Sequence, residues 1–408
     1  LNKGGKHKVR IAGTNQASVF RGFGDISREQ AELSTRRYQM TKYFAWNLEV
    51  IRVDDPQDDE LLRFDGSYIA AVAGNWIVSL GAVEKWWGAS WDSSGILSNN
   101  ARPALSFSIQ RNYSKPFENP IFKWLGPWTA SAFIGQIDDD KVMPKDSYSA
   151  GLSLTFKPHW SLELGLRSTS MWGGDKELDI TEALVESLLP VDALINESNQ
   201  CDATSLNRCD TFNGITHDNY RLSGIDFRWR LPFNHSISVY GSAYGQQSDR
   251  LLASNTINQL GLTTHFKSLN TQWRTYIEYS DTSLGEHFNQ AYESKKFTSG
   301  YRYFHRAIGS TYDNDSKVVS LGALAALDKY NDVSIKVANI KLNQDGTNLN
   351  SLAFNSVSGQ SVELSQISLR WKTRTKKYGE FDIVVSHVDE PIDGADSGAS
   401  VNWSYSIN

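Results

Sequence analysis

The sequence predicts an all-β fold, a single transmembrane β-barrel of the outer-membrane type with about 18 antiparallel strands, closed by long extracellular loops. Three observations predict it. Apolar and polar residues alternate with period two from end to end. The alternating stretches run to about ten residues, the length of a tilted membrane-crossing strand. Short turns and long connections also sort onto opposite ends of the strands.

The alternation is plain in several stretches. Trp160, Leu162, Leu164 and Leu166 interleave with Ser161, Glu163, Gly165 and Arg167. Ile225, Phe227, Trp229 and Leu231 interleave with Asp226, Arg228 and Arg230. Trp273, Thr275, Ile277 and Tyr279 face away from Arg274 and Glu278, and Val333, Ile335 and Val337 face away from Ser334 and Lys336. A soluble sandwich alternates in the same way. Strand length and aromatics at strand ends (Tyr43, Phe44, Trp46, Trp128, Trp160, Trp371) favour the membrane barrel, as does the alternating C-terminal stretch Val401–Ile407. The mixed-sign inward charges predict a lumen interlocked by ion pairs rather than an open anion channel.

In order, strands are expected near 7–22, 30–40, 43–54, 62–74, 75–87, 104–112, 127–138, 147–157 and 160–171. The remainder fall near 222–231, 235–246, 256–267, 271–281, 317–328, 331–342, 361–373, 378–390 and 399–407. Alternating up and down from the C-terminus puts the short turns on the periplasmic side, among them Gly74-Asn75, Lys157-Pro158-His159 and Pro232-Phe233-Asn234. The long connections at 88–103, 172–221, 282–316, 343–360 and 391–398 fall outside. Segment 113–126 disagrees: it is long yet lands on the periplasmic side, which reads as an inner-leaflet platform or a miscounted strand. A short amphipathic helix is expected within 178–196, where Leu178, Ala183, Leu184, Leu188 and Leu189 share a face. No repeat or linker divides the chain, so residues 1–408 read as one barrel domain.

Composition narrows the function classes. With 408 residues, a net charge of −5 and a pI near 5.9, the chain has no basic field for nucleic acid. Mean hydropathy is −0.43, and no apolar run approaches the ~18 residues of a membrane helix. Aromatics reach 12%, with 13 Trp. Cys201 and Cys209 are spaced for a local disulfide in an oxidising compartment, with two free thiols as the alternative, and no His/Cys pair beside them completes a zinc site. The chain starts at Leu1 with no Met and no n-region, h-region or cleavage site, which reads as a signal already removed or a trimmed N-terminus.

Trp86-Trp87-Gly88-Ala89-Ser90-Trp91-Asp92, followed by Ile96-Leu97-Ser98-Asn99-Asn100-Ala101-Arg102-Pro103, resembles the most recognisable stretch of the Wzi capsule-assembly family. The similarity continues through Arg111-Asn112, Pro116-Phe117-Glu118, Trp124-Leu125-Gly126-Pro127-Trp128 and Gly135-Gln136 with Asp139-Asp140. A later block is Gly300-Tyr301-Arg302-Tyr303, Arg306-Ala307-Ile308-Gly309 and Asp313-Asn314-Asp315-Ser316, and Arg21-Gly22-Phe23 with Arg28-Glu29 fits near the start. The resemblance implies an outer-membrane lectin-like barrel that anchors capsular polysaccharide. Three departures stand out. Ala89-Ser90 replaces an expected Pro-Gly, the family's periplasmic helical segment before the first strand is absent from this chain, and the end reads Ile407-Asn408 instead of an aromatic.

Candidate carbohydrate-binding residues are Trp86, Trp87, Trp91, Asp92, Asn99, Asn100 and Arg102 in one loop and Tyr301, Arg302, Tyr303 and Arg306 in another. Sugar C–H faces stack on aromatic planes, and carboxylate, carboxamide and guanidinium groups pair with hydroxyls or uronates. The bland reading puts Trp86 and Trp87 in an aromatic girdle, Asn99-Asn100 in a turn, and the second block as a plug in the barrel mouth. The acidic run Asp54-Asp55-Pro56-Gln57-Asp58-Asp59-Glu60 reads as a solvated loop ahead of a divalent-ion site beside lipopolysaccharide. The eight histidines are scattered, and no His-Glu-x-x-His, Gly-x-Ser-x-Gly or phosphate loop occurs. The expectation is therefore a binding protein with no enzymatic activity, no metal and no cofactor. Its partners would be surface polysaccharide, outer-membrane lipid with lipopolysaccharide, and the barrel-assembly machinery, and it would act as a monomer. The competing classes are a porin or export conduit, which would conduct ions, and a lipid hydrolase or acyltransferase, which would depend on a single Ser or His.

Overall fold

A computed structural model describes residues 5–15, 19–22, 28–137, 147–173, 220–246, 256–268, 270–284, 290–294, 297–346, 356–389 and 397–407. The expected helix within 178–196, the Cys201–Cys209 pair and His217 lie outside the described residues.

Eighteen wall strands form one antiparallel sheet that closes on itself. They are β1 Lys6–Thr14, β2 Ala31–Met40, β3 Phe44–Asp54, β4 Tyr68–Ala73, β5 Trp76–Gly81 and β6 Ser106–Arg111. Next come β7 Pro127–Ile137, β8 Ser147–His159, β9 Leu162–Gly173, β10 Tyr220–Arg230, β11 Ile237–Gln246 and β12 Thr256–Ser268. The last six are β13 Thr271–Asp281, β14 Lys317–Ala326, β15 Asn331–Leu342, β16 Val362–Thr375, β17 Gly379–Val388 and β18 Ser397–Ile407. Each pairs with its sequence neighbour, and β1 pairs with β18 from His7↔Ile407 to Thr14↔Ser400. Closure leaves the sheet without a free edge.

All eighteen expected strands are present, and three differ in extent. The first ends at Thr14 rather than near 22, and Phe20, within the expected stretch, is buried against Tyr312 instead of facing lipid. The stretch at 62–74 is broken: Leu62–Arg63 pair with Ile51 and Arg52, and regular pairing resumes at Tyr68 after Gly66, at φ +87°. The stretch at 75–87 leaves the wall after Gly81, where Ala82 donates to Ser67 O and the chain drops into the lumen. A period-two pattern cannot tell a residue facing lipid from one facing an internal plug.

The outer face is apolar. Ile11, Leu33, Leu48, Leu260, Leu321 and Leu369 are each more than half exposed, and Ile69, Ile277, Ile367, Val385 and Val401 point the same way. So continuous a band would make a water-soluble protein aggregate, whereas in a bilayer it is the required surface. Tyr43, Phe44, Trp160, Trp229, Phe266, Trp371 and Tyr378 lie exposed toward the end that carries the short turns, forming a girdle at the periplasmic interface. Gly74 and Asn75 make one of those turns in two residues, with Gly74 at φ +60° between the paired Ala73 and Trp76. Among the described residues, no helix is long and apolar enough to cross a membrane.

Inward charges pair across the wall: Arg167 Nε with Asp226 at 2.7 Å, Arg370 Nε with Asp382 at 2.7 Å, and Arg10 Nη1 with Glu32 at 3.0 Å. Others hold the loops that enter the lumen.

Candidate functional site

Residues 82–105 descend from the top of β5 into the lumen. Trp87 takes no position in the wall. Its backbone N–H bonds to Leu97 O at 3.0 Å, and its ring packs on Phe133 with centroids 5.5 Å apart. Gly151 on β8 makes room for it, since a Cβ there would lie 2.6 Å from the Trp87 ring. At the bottom of the loop, Glu278 on β13 accepts the backbone N–H groups of Trp91 and Asp92 and, at 2.6 Å, the hydroxyl of Tyr240. Asp92 in turn accepts from Tyr312 at 2.6 Å and Lys336 at 2.9 Å, and Arg228 donates to Ala89 O at 2.8 Å. Gln259 receives Gly95 N–H at 3.0 Å and donates to Ser93 O at 2.8 Å. Wall side chains thus satisfy the loop backbone that burial removes from water.

Residues 290–294 and 297–316 pack on top of that loop. Ser98 N–H bonds to Ile308 O at 2.9 Å, Asn100 Nδ2 to Ala307 O at 2.9 Å, and Tyr292 Oη and Tyr301 Oη donate to Gly95 O and Ile96 O. Arg302 grips Asp313 at two points, 2.8 and 2.7 Å, and Glu293 at 2.6 Å. Burial pushes the Glu293 carboxyl up to about 7, in spite of the opposing pull of Arg302. One apolar cluster, with Trp87, Ile96, Tyr244, Tyr292, Phe297 and Tyr301, welds both loops to the wall. The cavity left between Ser90, Asp92, Tyr240, Gln259, Glu278 and Ser320 measures about 10 Å³, room for about one water and far below the ~300 Å³ lower end of ligand pockets.

At the mouth, Arg302–Tyr303 and Arg306–Ala307 form a hairpin whose two tip residues, Phe304 and His305, sit at φ +48° and +60°. Such a turn usually takes Asn or Gly, so bulky residues there are held by their surroundings at a cost of about 1–3 kcal/mol each. Tyr303 and Phe304 lie 4.4 Å apart, and the Arg102 guanidinium lies 4.4 Å from the Phe304 ring. Arg102 binds Asp65 with both arms at 3.0 Å and Asp58 at 2.8 Å, and Asp58 also accepts from Arg63 at 2.7 Å. Although burial pushes the Asp58 carboxyl up, Arg63 and Arg102 outweigh it and hold it below the usual range. Arg306 donates to Val19 O at 3.0 Å, and His305 is exposed.

The nominated residues therefore separate by depth. Trp87, Asp92, Asn99, Asn100, Tyr301 and Arg302 are buried within the two loops. Trp91 points toward the periplasmic half of the lumen, stacked on Tyr276 at 6.3 Å with Arg274 5.0 Å from its ring. Arg102, Tyr303 and Arg306 meet at the mouth, and Trp86, half-buried, donates to Ser90 O at 3.2 Å. Sequence reasoning passed over Phe304, Asp65 and Glu278 as site residues, and read Asp58 as part of a solvated loop. Only the adjacency of Phe304 to Tyr303 pointed to it. Among the described residues, no group of three or more His, Cys, Asp or Glu is placed to hold a metal.

A closed antiparallel barrel with an apolar band, an aromatic girdle and a lumen filled by its own loops defines a transmembrane barrel of the outer-membrane class. The model of the family described as Capsule assembly protein Wzi matches residues 2–388, and the chain belongs to that family. It is similar to the solved Escherichia coli Wzi, described as an outer membrane protein involved in group 1 capsule assembly and a carbohydrate-binding β-barrel. That match has a TM-score of 0.82 and 20% identity over 98% of this chain and 84% of the other, a likeness of fold. A 55.8 kDa uncharacterised protein of a Klebsiella pneumoniae cps region is 26% identical over 228 residues, 53% of this chain and 40% of that relative. The match thus spans less than half the length of that curated relative. The outer membrane protein OprD of Pseudomonas aeruginosa shares the architecture at 8% identity, with a TM-score of 0.51 over 99% of this chain and 94% of that one.

Proposed function

We propose that this barrel is a surface-polysaccharide-binding, lectin-like protein of the outer membrane that anchors or organises capsular or extracellular polysaccharide at the cell surface. The observation that carries the reading is the rim at the mouth, where Arg102, Tyr303, Phe304 and Arg306 sit above a lumen filled by interlocked loops. Flat rings with guanidinium groups beside them suit sugar faces and acidic substituents. On this reading Arg102, Tyr303 and Arg306, with Trp86, contact the polymer. Trp87, Asp92, Asn99, Asn100, Tyr301 and Arg302 hold the rim in place, and Trp91 braces it from below.

Family membership and the carbohydrate-binding description of the E. coli relative support the same role. The role asks for no reaction, so the protein is read as a non-enzyme acting as a monomer, with residues 1–408 as one barrel unit. The outer band is in contact with lipid, and β18, which closes on β1, is the segment offered to the assembly machinery. Deleting the gene is expected to move surface polysaccharide from the cell-attached to the shed fraction, with wild-type protein restoring it. An unchanged distribution would sink the anchoring role.

A further inference from the structure

We propose that the barrel carries, on its outer wall at the periplasmic rim, a site for the headgroup of an anionic phospholipid of the inner leaflet, centred on Arg111. The inference is independent of the sugar reading and rests on segment 112–126, which runs from β6 to β7. With eighteen strands in place, that segment is no miscounted strand, and it lies at the same end as the short turns. Lys115 and Pro116 pair with Trp128 and Pro127 at the foot of β7, and the residues that follow cover the Trp128 ring. Phe107, nearly half exposed, marks the lipid-facing side of β6, and alternation puts Ile109 and Arg111 on that side. Trp128 lies beside Arg111, whose guanidinium carbon sits 3.6 Å from the indole centroid. On Trp128 stacks Phe117, 4.7 Å away and tilted by only 8°, and Phe122 lies 5.7 Å beyond. Gly126, at φ +69°, brings the end of the segment so close to the backbone of Lys157 that no side chain would fit.

The surface so formed has the composition of a membrane interface. Tyr113, Ile121, Phe122 and Trp124 are exposed, Ile121 and Trp124 by two thirds or more. Residues 111–126 contain Arg111, Lys115 and Lys123 against the single carboxylate Glu118. Among the described residues no carboxylate pairs with Arg111, and its Nη1 is buried without an acceptor. A guanidinium on the lipid-facing side that no carboxylate neutralises calls for an anionic oxygen at its unburied side, where it meets the membrane interface. A headgroup phosphate supplies the oxygen, and the exposed rings take up the interfacial chain region. Continuity with the aromatic girdle fixes the occupant as inner-leaflet lipid rather than lipopolysaccharide, which belongs at the opposite rim.

The test is native mass spectrometry of the full chain in detergent, challenged with phosphatidylglycerol, phosphatidylethanolamine or inorganic phosphate. Wild type is expected to retain phosphatidylglycerol over phosphatidylethanolamine by about fivefold or more, the scale of one basic residue at an anionic surface. Arg111→Gln should abolish the preference and Arg111→Lys keep part of it, with folding of each checked by heat-modifiable gel mobility. Equal retention of the two lipids by wild type would overturn the proposal even if the variants fail to fold. Unchanged preference in folded Arg111→Gln would overturn it too, as would displacement of the lipid by millimolar phosphate, which would make the site a free-anion site.

Discussion

The carboxylate of Glu278, on wall strand β13, accepts the backbone N–H of Asp92, at the foot of the inward loop, at 2.7 Å. The same carboxylate takes the Trp91 N–H and the Tyr240 hydroxyl, so one wall side chain fastens the plug. Glu278→Ala would strand three buried donors, each costing about 1–3 kcal/mol when left unmade. We expect wild type to be silent in planar bilayers and Glu278→Ala to show intermittent conductance steps with a lower melting temperature. Steps of equal size in both would mean the loops do not occlude the lumen.

Gly151 has no room for a side chain, because the Trp87 and Phe133 rings lean over it. Gly151→Ala should destabilise by about 1–3 kcal/mol, as overpacking does. Thermal unfolding in detergent reads the loss, and Trp87→Leu in the same background should restore part of it. Additive effects of the two changes would show that the rings and Gly151 do not compete for space.

Glu293 lies in the buried Arg302 cluster with its carboxyl near 7, above the 4.5 of the free side chain. Between pH 4.5 and about 7 the folded loop therefore binds more protons than the unfolded one. Its stability falls as pH rises through that window. Hydrogen exchange at Tyr292 and Tyr301 should be slower at pH 5 than at pH 8 after correction for intrinsic rates. Glu293→Gln should flatten the difference, and an opposite slope would refute the assignment.

The strands were legible in the sequence because period two is imposed by geometry wherever one face meets lipid and the other does not. Leu260 and Leu321 are exposed as that pattern demands. The burial of Phe20 and the inward course of the chain beyond Gly81 were not legible as plug. Phe20 and Trp87 prolong the apolar rhythm, yet they are buried against loop residues distant in sequence. The site was legible only in outline. Trp86 to Arg102 and Tyr301 to Arg306 do fold together, but depth depends on pairings such as Arg102 with Asp65, 37 positions apart, which no local spacing encodes. Phe304 went unnoticed because its place depends on a left-handed turn with neither Gly nor Asn to mark it.

The most direct test of the central claim is equilibrium binding of the purified barrel to the producing strain's own surface polysaccharide. The double variant Arg102→Ala with Tyr303→Ala is measured beside Trp91→Ala. Saturable binding by wild type and Trp91→Ala, weakened tenfold or more in the double variant, roughly 1.4 kcal/mol, is the predicted result. Equal binding by wild type and a folded double variant, or no binding by wild type, would contradict a polysaccharide site at the mouth.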